Sequence, residues 1–291
     1  MPLTRNLATP EQQSDEFTRQ LTAELGGDSI ELPSFPEVAV RVRKALNNPD
    51  ISVDEVVRVV SAEPSLAVRL LQLANSVALN PTGQRIVALR MAIARIGFNL
   101  ARSATIAFAM SQMRRAEAWR GLEARFRVLW EEGAQMAAMS HAVAKRVRGI
   151  NADQAMFAGM LHTVGKLFVL TRLSRFPALL DNPSFHLDIE RAWHARVGRA
   201  ILTRWELNAE VVSGACEYEQ AAQPRAGGPD LRDVLFAARY IATLAPEAPA
   251  PDLGIFSAPP FQRLGLDPQG CRDLLAASAE EVASLKAALV D

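Results

Sequence analysis

The feature that most restricts this chain is the spacing of its apolar residues. They recur at intervals of three and four, segment after segment, and nowhere alternate one by one. Leu66, Leu70, Leu71, Ala74 and Val77 follow a period near 3.6, the repeat of a helix with one buried face. No stretch shows the alternating, β-branched run of a strand. The expected fold class is all-α. The local punctuation agrees. Ser52 and Glu55 form a capping box ahead of Val56, Val57, Val59 and Val60. Pro64 suits the first turn of the next helix, and Asn80-Pro81-Thr82-Gly83 breaks it. Gly97 reads as the residue that closes a helix over Ile86–Ile96.

The same reading places helices at about Asp15–Leu25, Val38–Leu46, a buried Leu100–Met113, and Leu122–Arg148 as one bent helix or two. Others fall at Met156–His162 with Asp153 as its cap, Ile189–Trp205, Ala209–Tyr218, Leu231–Leu244 and Pro268–Ala288. Leu32-Pro33-Ser34-Phe35-Pro36 reads as extended, because proline biases its predecessor away from helix. Gln220–Asp230 and the Pro-rich Ala245–Pro260 read as mobile loops.

Composition narrows the function classes. At 291 residues and 49% hydrophobic content the chain can bury a sizeable core, as one large domain or two lobes. Lys+Arg and Asp+Glu are both 32, so the net charge is zero and a globally basic nucleic-acid or membrane-surface binder is not indicated. No run approaches the roughly 18 apolar residues that span a bilayer, and the first residues lack the apolar core of a secretory signal. Cys216 and Cys271 form no motif and fit a reducing compartment. The expected setting is cytoplasmic, without a membrane partner. Glycine-rich phosphate loops and G-x-S-x-G elbows are missing.

One charge excess stands out. Nine arginines between Arg85 and Arg127 face two acids, Glu117 and Glu123. Arginine makes planar, bidentate contacts to phosphate or carboxylate, so this stretch, with Arg114 and Arg115 at its centre, would suit an acidic partner, a cyclic dinucleotide or nucleic acid. A solvated face is the plainer reading, and no helix-turn-helix pattern supports nucleic acid.

The sharpest local signal is His162-Thr163-Val164-Gly165-Lys166, which ends the apolar run Ala155–Leu161. Histidine followed by aspartate would supply a neutral nitrogen and a hard anionic oxygen to a catalytic metal. Thr163 supplies no anion. Elsewhere Asn75-Ser76 could line a cleft or hydrogen-bond to nearby backbone, and Lys166 could hold an anion or pair with a carboxylate.

These segments together resemble the HDOD domain family, degenerate relatives of the HD and HD-GYP metal-dependent phosphohydrolases. The resemblance rests on Leu32–Pro36, Glu63-Pro64-Ser65-Leu66, Leu70–Ser76 and Ala92–Gly97. In the second half it rests on Trp130, Ala158–His162, Gly165-Lys166, His194–Gly198 and Trp205-Glu206-Leu207. It covers roughly residues 28–245. It implies an N-terminal extension over 1–27, an N-terminal helical lobe over 28–115 and a degenerate HD-like lobe over 116–291, with Asn75, His162, Lys166 and His194 in a cleft between them.

The family's ligand positions fall at Glu132, His162-Thr163, His194 and Tyr218-Glu219, so only His162 and His194 keep a histidine. A catalytic metal site wants about three protein ligands. No metal, no cofactor and no catalytic residue is therefore expected, although Glu132 and Glu219 could add oxygens to a rebuilt site. His141 and His186 match no ligand position and are expected at the surface. The resemblance implies a non-catalytic bacterial signal-transduction module. It would act through a signalling-protein partner or a small ligand or nucleotide, beside cyclic-di-GMP systems. The alternatives are a metal-dependent phosphohydrolase acting on nucleotides or cyclic dinucleotides, and nucleotide or nucleic-acid binding through the arginine-rich face.

Overall fold

A computed structural model describes residues 9–26, 45, 48, 51–113, 121–244 and 253–290. The expected Leu32–Pro36 segment, the helix over Val38–Leu46 apart from Ala45, Arg114 and Arg115, and the junction at 115/116 lie outside the described residues. Among the described residues there is no strand, and the fold is all-α. No described helix is long and apolar enough to cross a membrane.

Helix α1 spans Pro10–Gly26, α2 Val53–Ser61 and α3 Pro64–Ala74. The Ser52–Glu55 capping box forms as expected, and Pro64 opens α3. Helix α4 runs Leu89–Met113. It starts three residues later than the periodicity suggests, because Ile86 is held in the preceding segment by the Asn75 side chain. Gly97 does sit at positive φ (74°), but as a kink between two helical stretches of α4.

Helix α5, Glu123–Ala144, is one unbroken element, and Phe126, Trp130 and nearly every residue from Gly133 to Ala144 are buried. It is the axis of the second half. Helices α6 (Ala152–Leu161), α11 (Leu231–Ile241) and α13 (Pro268–Val290) pack around it. Asn151, not Asp153, caps α6, accepting from the Asp153 and Gln154 amides at 2.9 and 3.0 Å. Asp153 lies in the first turn.

Helices α7 (Val164–Leu173) and α8 (Pro177–Leu180) lead into α9 (Pro183–Arg204), which packs along α7. Periodicity shows neither α7 nor the early start of α9. Helix α7 is apolar almost all round, so it carries no amphipathic stripe, and Asn182-Pro183 is the true start signal of α9. Helix α10 (Ala209–Glu217) ends in a 3-10 turn, Tyr218–Gln220. Helix α12 (Pro259–Leu264) and the turn at Leu253–Ser257 replace the end of the expected loop over Ala245–Pro260, because Phe261 is buried against Phe236 and Phe256 against Phe261.

One continuous apolar core runs from Phe17 to Leu289. Helix α13 ties α3 to α5. Arg69 donates to the Leu289 carbonyl (2.9 Å), and His141 and Lys145 hold Glu281 at 3.1 and 2.9 Å. His141 is thus buried at 3% exposure, not at the surface. His186 is half-buried.

Candidate functional site

Most of the sequence-selected polar residues meet where α5, α7, α9 and α11 converge. The approach depends on Gly165. A Cβ there would stand 1.9 Å from the His194 carbonyl oxygen, so only glycine lets α7 lie this close to α9.

His162 closes α6, with its Nδ1 2.6 Å from the Gly159 carbonyl. The Gly159 carbonyl and the Glu132 carboxylate, 3.3 Å from Nε2, both accept, so each ring nitrogen is aimed at an acceptor and donates to it when it carries a proton. The imidazole also meets the Tyr218 ring edge-on, centroids 5.8 Å apart. His194 repeats the device. Its Nδ1 faces the Glu190 carbonyl at 2.8 Å and its Nε2 the Glu219 carboxylate at 3.4 Å. Anchoring Nδ1 on a carbonyl is how proteins orient metal-binding histidines.

Fixed cations hold the carboxylates that face these nitrogens. Lys166 donates to Glu132 at 2.7 Å and lies 3.6 Å from Glu190. Glu190 is also 3.7 Å from His186. Arg239 donates to Glu219 at 2.6 Å and to the Tyr218 hydroxyl at 3.2 Å.

The proton affinities follow. Burial favours the neutral Glu132 acid, but His162 and Lys166 outweigh it and bring the carboxyl down to about 2. The hydrogen bond from His194 lowers Glu219 against its burial, Arg239 adds to it, and the result is again about 2. Glu190 is lowered too, its burial overcome by His186 and Lys166. Burial opposes a charged His194, yet Glu219 and the Glu190 carbonyl raise its pKa above the ordinary value. Burial raises the Tyr218 phenol well above its usual range.

The HD superfamily's catalytic metal does not fit these residues. Among the described residues no three His, Cys, Asp or Glu side chains gather closely enough to hold an ion. Where an aspartate ligand would stand, Thr163 presents a hydroxyl that is 1% exposed and makes no hydrogen bond. Chemically the cluster is a closed set of ion pairs.

Asn75 and Ser76 are used elsewhere. The Asn75 amide donates to Leu71 and Ile86 carbonyls (2.8 and 2.7 Å) and accepts from the Ile86 amide (2.8 Å). Ser76 donates to the Leu73 carbonyl at 2.7 Å. Both brace the end of α3, the local reading of this pair. Within the arginine-rich stretch, Arg90 pairs with Asp54 and Arg125 binds the Leu180 carbonyl. Sequence reasoning missed Glu190 and Arg239. Glu190 stands one helical turn before His194, a spacing that could have drawn attention to it. Arg239 lies 20 residues from its partner and left no local signal.

Comparison with known proteins follows this geometry. Residues 32–221 match the HDOD domain. An uncharacterized protein of Treponema pallidum (strain Nichols) is 23% identical over 210 residues, 67% of this chain and 39% of that protein. The chain thus spans about two fifths of the length of this curated relative. A crystal structure from Shewanella amazonensis SB2B, provisionally assigned as a metal-dependent phosphohydrolase, superposes with a TM-score of 0.77 at 23% identity. That match covers 95% of this chain and 99% of the other. An HDOD domain protein of unknown function from Geobacter sulfurreducens gives 0.65 at 20% identity, with 96% and 97% covered. At such identities the likeness is one of fold.

Proposed function

We propose that this chain, which belongs to the HDOD domain family, is a non-catalytic regulatory module of bacterial signal transduction. It acts in the cytoplasm by contact with a signalling protein or a small ligand, in pathways of the cyclic-di-GMP kind. Its working units are the lobes 28–115 and 116–291, preceded by the extension 1–27. One observation carries the reading. The ammonium of Lys166 occupies Glu132 at 2.7 Å, beside a threonine in place of the second ligand. A cation built into the chain neutralises the carboxylate that a metal would need. Among the described residues no third metal-binding side chain gathers with the two histidines, so the described donor set gives no support to chemistry by a bound metal hydroxide.

The orientation of His162 and His194 is the one feature that favours the second reading, a metal-dependent phosphohydrolase. Elemental analysis of the purified protein, before and after incubation with Mn²⁺, Fe²⁺ and Zn²⁺, separates the two. Substoichiometric metal in every case is expected. Near-stoichiometric metal that disappears in His162→Ala would overturn the regulatory reading and make phosphodiesterase activity the next assay.

A further inference from the structure

A groove of about 750 Å³ lies between α3 and the segment that leads into α4. Val68, Leu71, Gln72 and Asn75, spaced three and four apart on one face of α3, form its first wall. Segment 83–87, which is neither helical nor turned, forms the second, and Val77 also lines it. Val68, Val77 and Val87 are 54, 42 and 74% exposed, and Met91, four residues after Val87, is 61% exposed. Six large apolar side chains are exposed among the described residues, and these are four of them. Gathered on one concavity rather than scattered, they mark an interaction surface. Valine is stiff at χ1, so covering it costs little side-chain freedom.

The charge of this region has one sign. Residues 64–113 hold five arginines and no acidic residue. Arg90 is neutralised by Asp54, and Arg69 reaches the Leu289 carbonyl. Arg85 is the only charged residue lining the groove among the described residues. It and Arg95, one helical turn past Met91, are exposed and make no ion pair among the described residues. The complement of such a surface is an apolar stripe flanked by carboxylates. Two asparagines decide its backbone form. Asn75 holds both the N–H and the C=O of Ile86, at 2.8 and 2.7 Å, and Asn80 donates to the Gln84 carbonyl at 2.8 Å. Backbone groups of an extended segment alternate sides, so those of Gln84 and Ile86 that face α3 are already taken. An added strand finds no edge to pair with there, whereas a helix packs by its side chains and needs none.

We propose that this groove docks an acidic amphipathic helix of a partner protein. The helix sets its apolar residues among Val68, Val77 and Val87 and its carboxylates against Arg85 and Arg95. The phosphates of a nucleic acid would satisfy the two arginines but leave the valines uncovered. The inference rests on the regulatory reading for the partner's role in signalling only. Peptide binding is measured separately from metal content, so the two can fail independently.

The probe is a fluorescent synthetic helix of about four turns, with leucines at i, i+3, i+4 and i+7 and glutamates elsewhere, followed by anisotropy against the full chain. It is expected to saturate at one peptide per chain and to weaken as salt rises. The same peptide with lysines for glutamates should bind roughly tenfold more weakly or worse. Val87→Asp, and separately Arg85→Glu with Arg95→Glu, should each weaken the acidic peptide roughly tenfold. Val128→Asp, an exposed position on α5, should leave it unchanged. All four positions are exposed, and circular dichroism checks that the variants are folded. No saturable binding, equal binding of the lysine peptide, binding unchanged in either groove variant, or equal weakening by Val128→Asp would overturn the proposal. Binding of duplex DNA or anionic phospholipid vesicles more tightly than the peptide, lost in Arg85→Glu with Arg95→Glu, would also overturn it, since that assigns the arginines to phosphate.

Discussion

Replacing Lys166 by methionine keeps the apolar stem and deletes the charge that Glu132 and Glu190 share. The consequence can be worked from Glu132. A carboxyl lowered from 4.5 to about 2 corresponds nominally to ~3 kcal/mol of stability. The Glu132 side chain is 42% exposed, so water screens the pair, and His162 remains as the second partner. The net loss at neutral pH is then about 1–2 kcal/mol, a fall in Tm of roughly 2–6 °C for a chain of this size. The sign with pH follows from the depressed pKa. The stabilisation is complete above the unfolded carboxyl's 4.5 and is lost as pH falls toward about 2. Urea midpoints of both proteins at pH 7, 5 and 3.5 should show a gap that is full at the first two and smaller at the last. Equal stability at pH 7 would refute the ion-pair account. A gap undiminished at pH 3.5 would show that Lys166 acts by stem packing instead.

Three further outcomes follow from the same contacts. Asp233 is 0% exposed and accepts from Arg225 at 2.5 Å, from Arg263 at 2.6 Å and from the Asp230 amide at 3.1 Å. Asp233→Ala should cost about 3–5 kcal/mol by leaving Arg263 without its anion and Arg225 with Asp230 alone, and a Tm within 1 °C of the parent would contradict this. His194, raised above 6.5 by Glu219, contributes stability that is present below 6.5 and lost as pH rises through its folded value. NMR titration should find its midpoint above 6.5 and bring it down in Glu219→Gln, and the idea fails if the two midpoints coincide. Thr163→Asp places a carboxylate at a position 1% exposed where the present hydroxyl makes no hydrogen bond. It should lower the Tm by itself and be rescued by Mn²⁺ or Zn²⁺ only when Lys166→Ala is added; rescue of the single variant would show that Lys166 does not compete with a metal.

Much of the fold was legible because its signals are local. A capping box at Ser52, a proline at the start of α3 and a 3.6-residue stripe each report on a few neighbouring residues, and each forms. What escaped was set by contacts distant in sequence. Helix α7 is buried on nearly every side against α9 and α5, so a pattern of one wet and one dry face never develops. His141 carries no apolar label, yet Glu281, 140 residues away, gives it a partner that makes burial tolerable. Phe261, packed on Phe236, and Phe256, packed on Phe261, turn part of a proline-rich loop into ordered turns.

The site divides along the same line. Comparison of residue types could say that Thr163 brings no anion and that two histidines are too few for a metal. It could not say what neutralises Glu132 and Glu219, because Lys166 and Arg239 answer to geometry. Glu132 and Glu219 are only partly withdrawn from water, at 42% and 41% exposure, and a positive charge beside each favours its ionised form. Here orienting the imidazoles and neutralising the acids fall to different groups. Carbonyls of Gly159 and Glu190 keep the imidazoles in place, while Lys166 and Arg239 neutralise the acids. Each Nε2 lies beside a carboxylate already held by a cation, 3.3 Å at His162 and 3.4 Å at His194, so each ring has a polar partner within the fold.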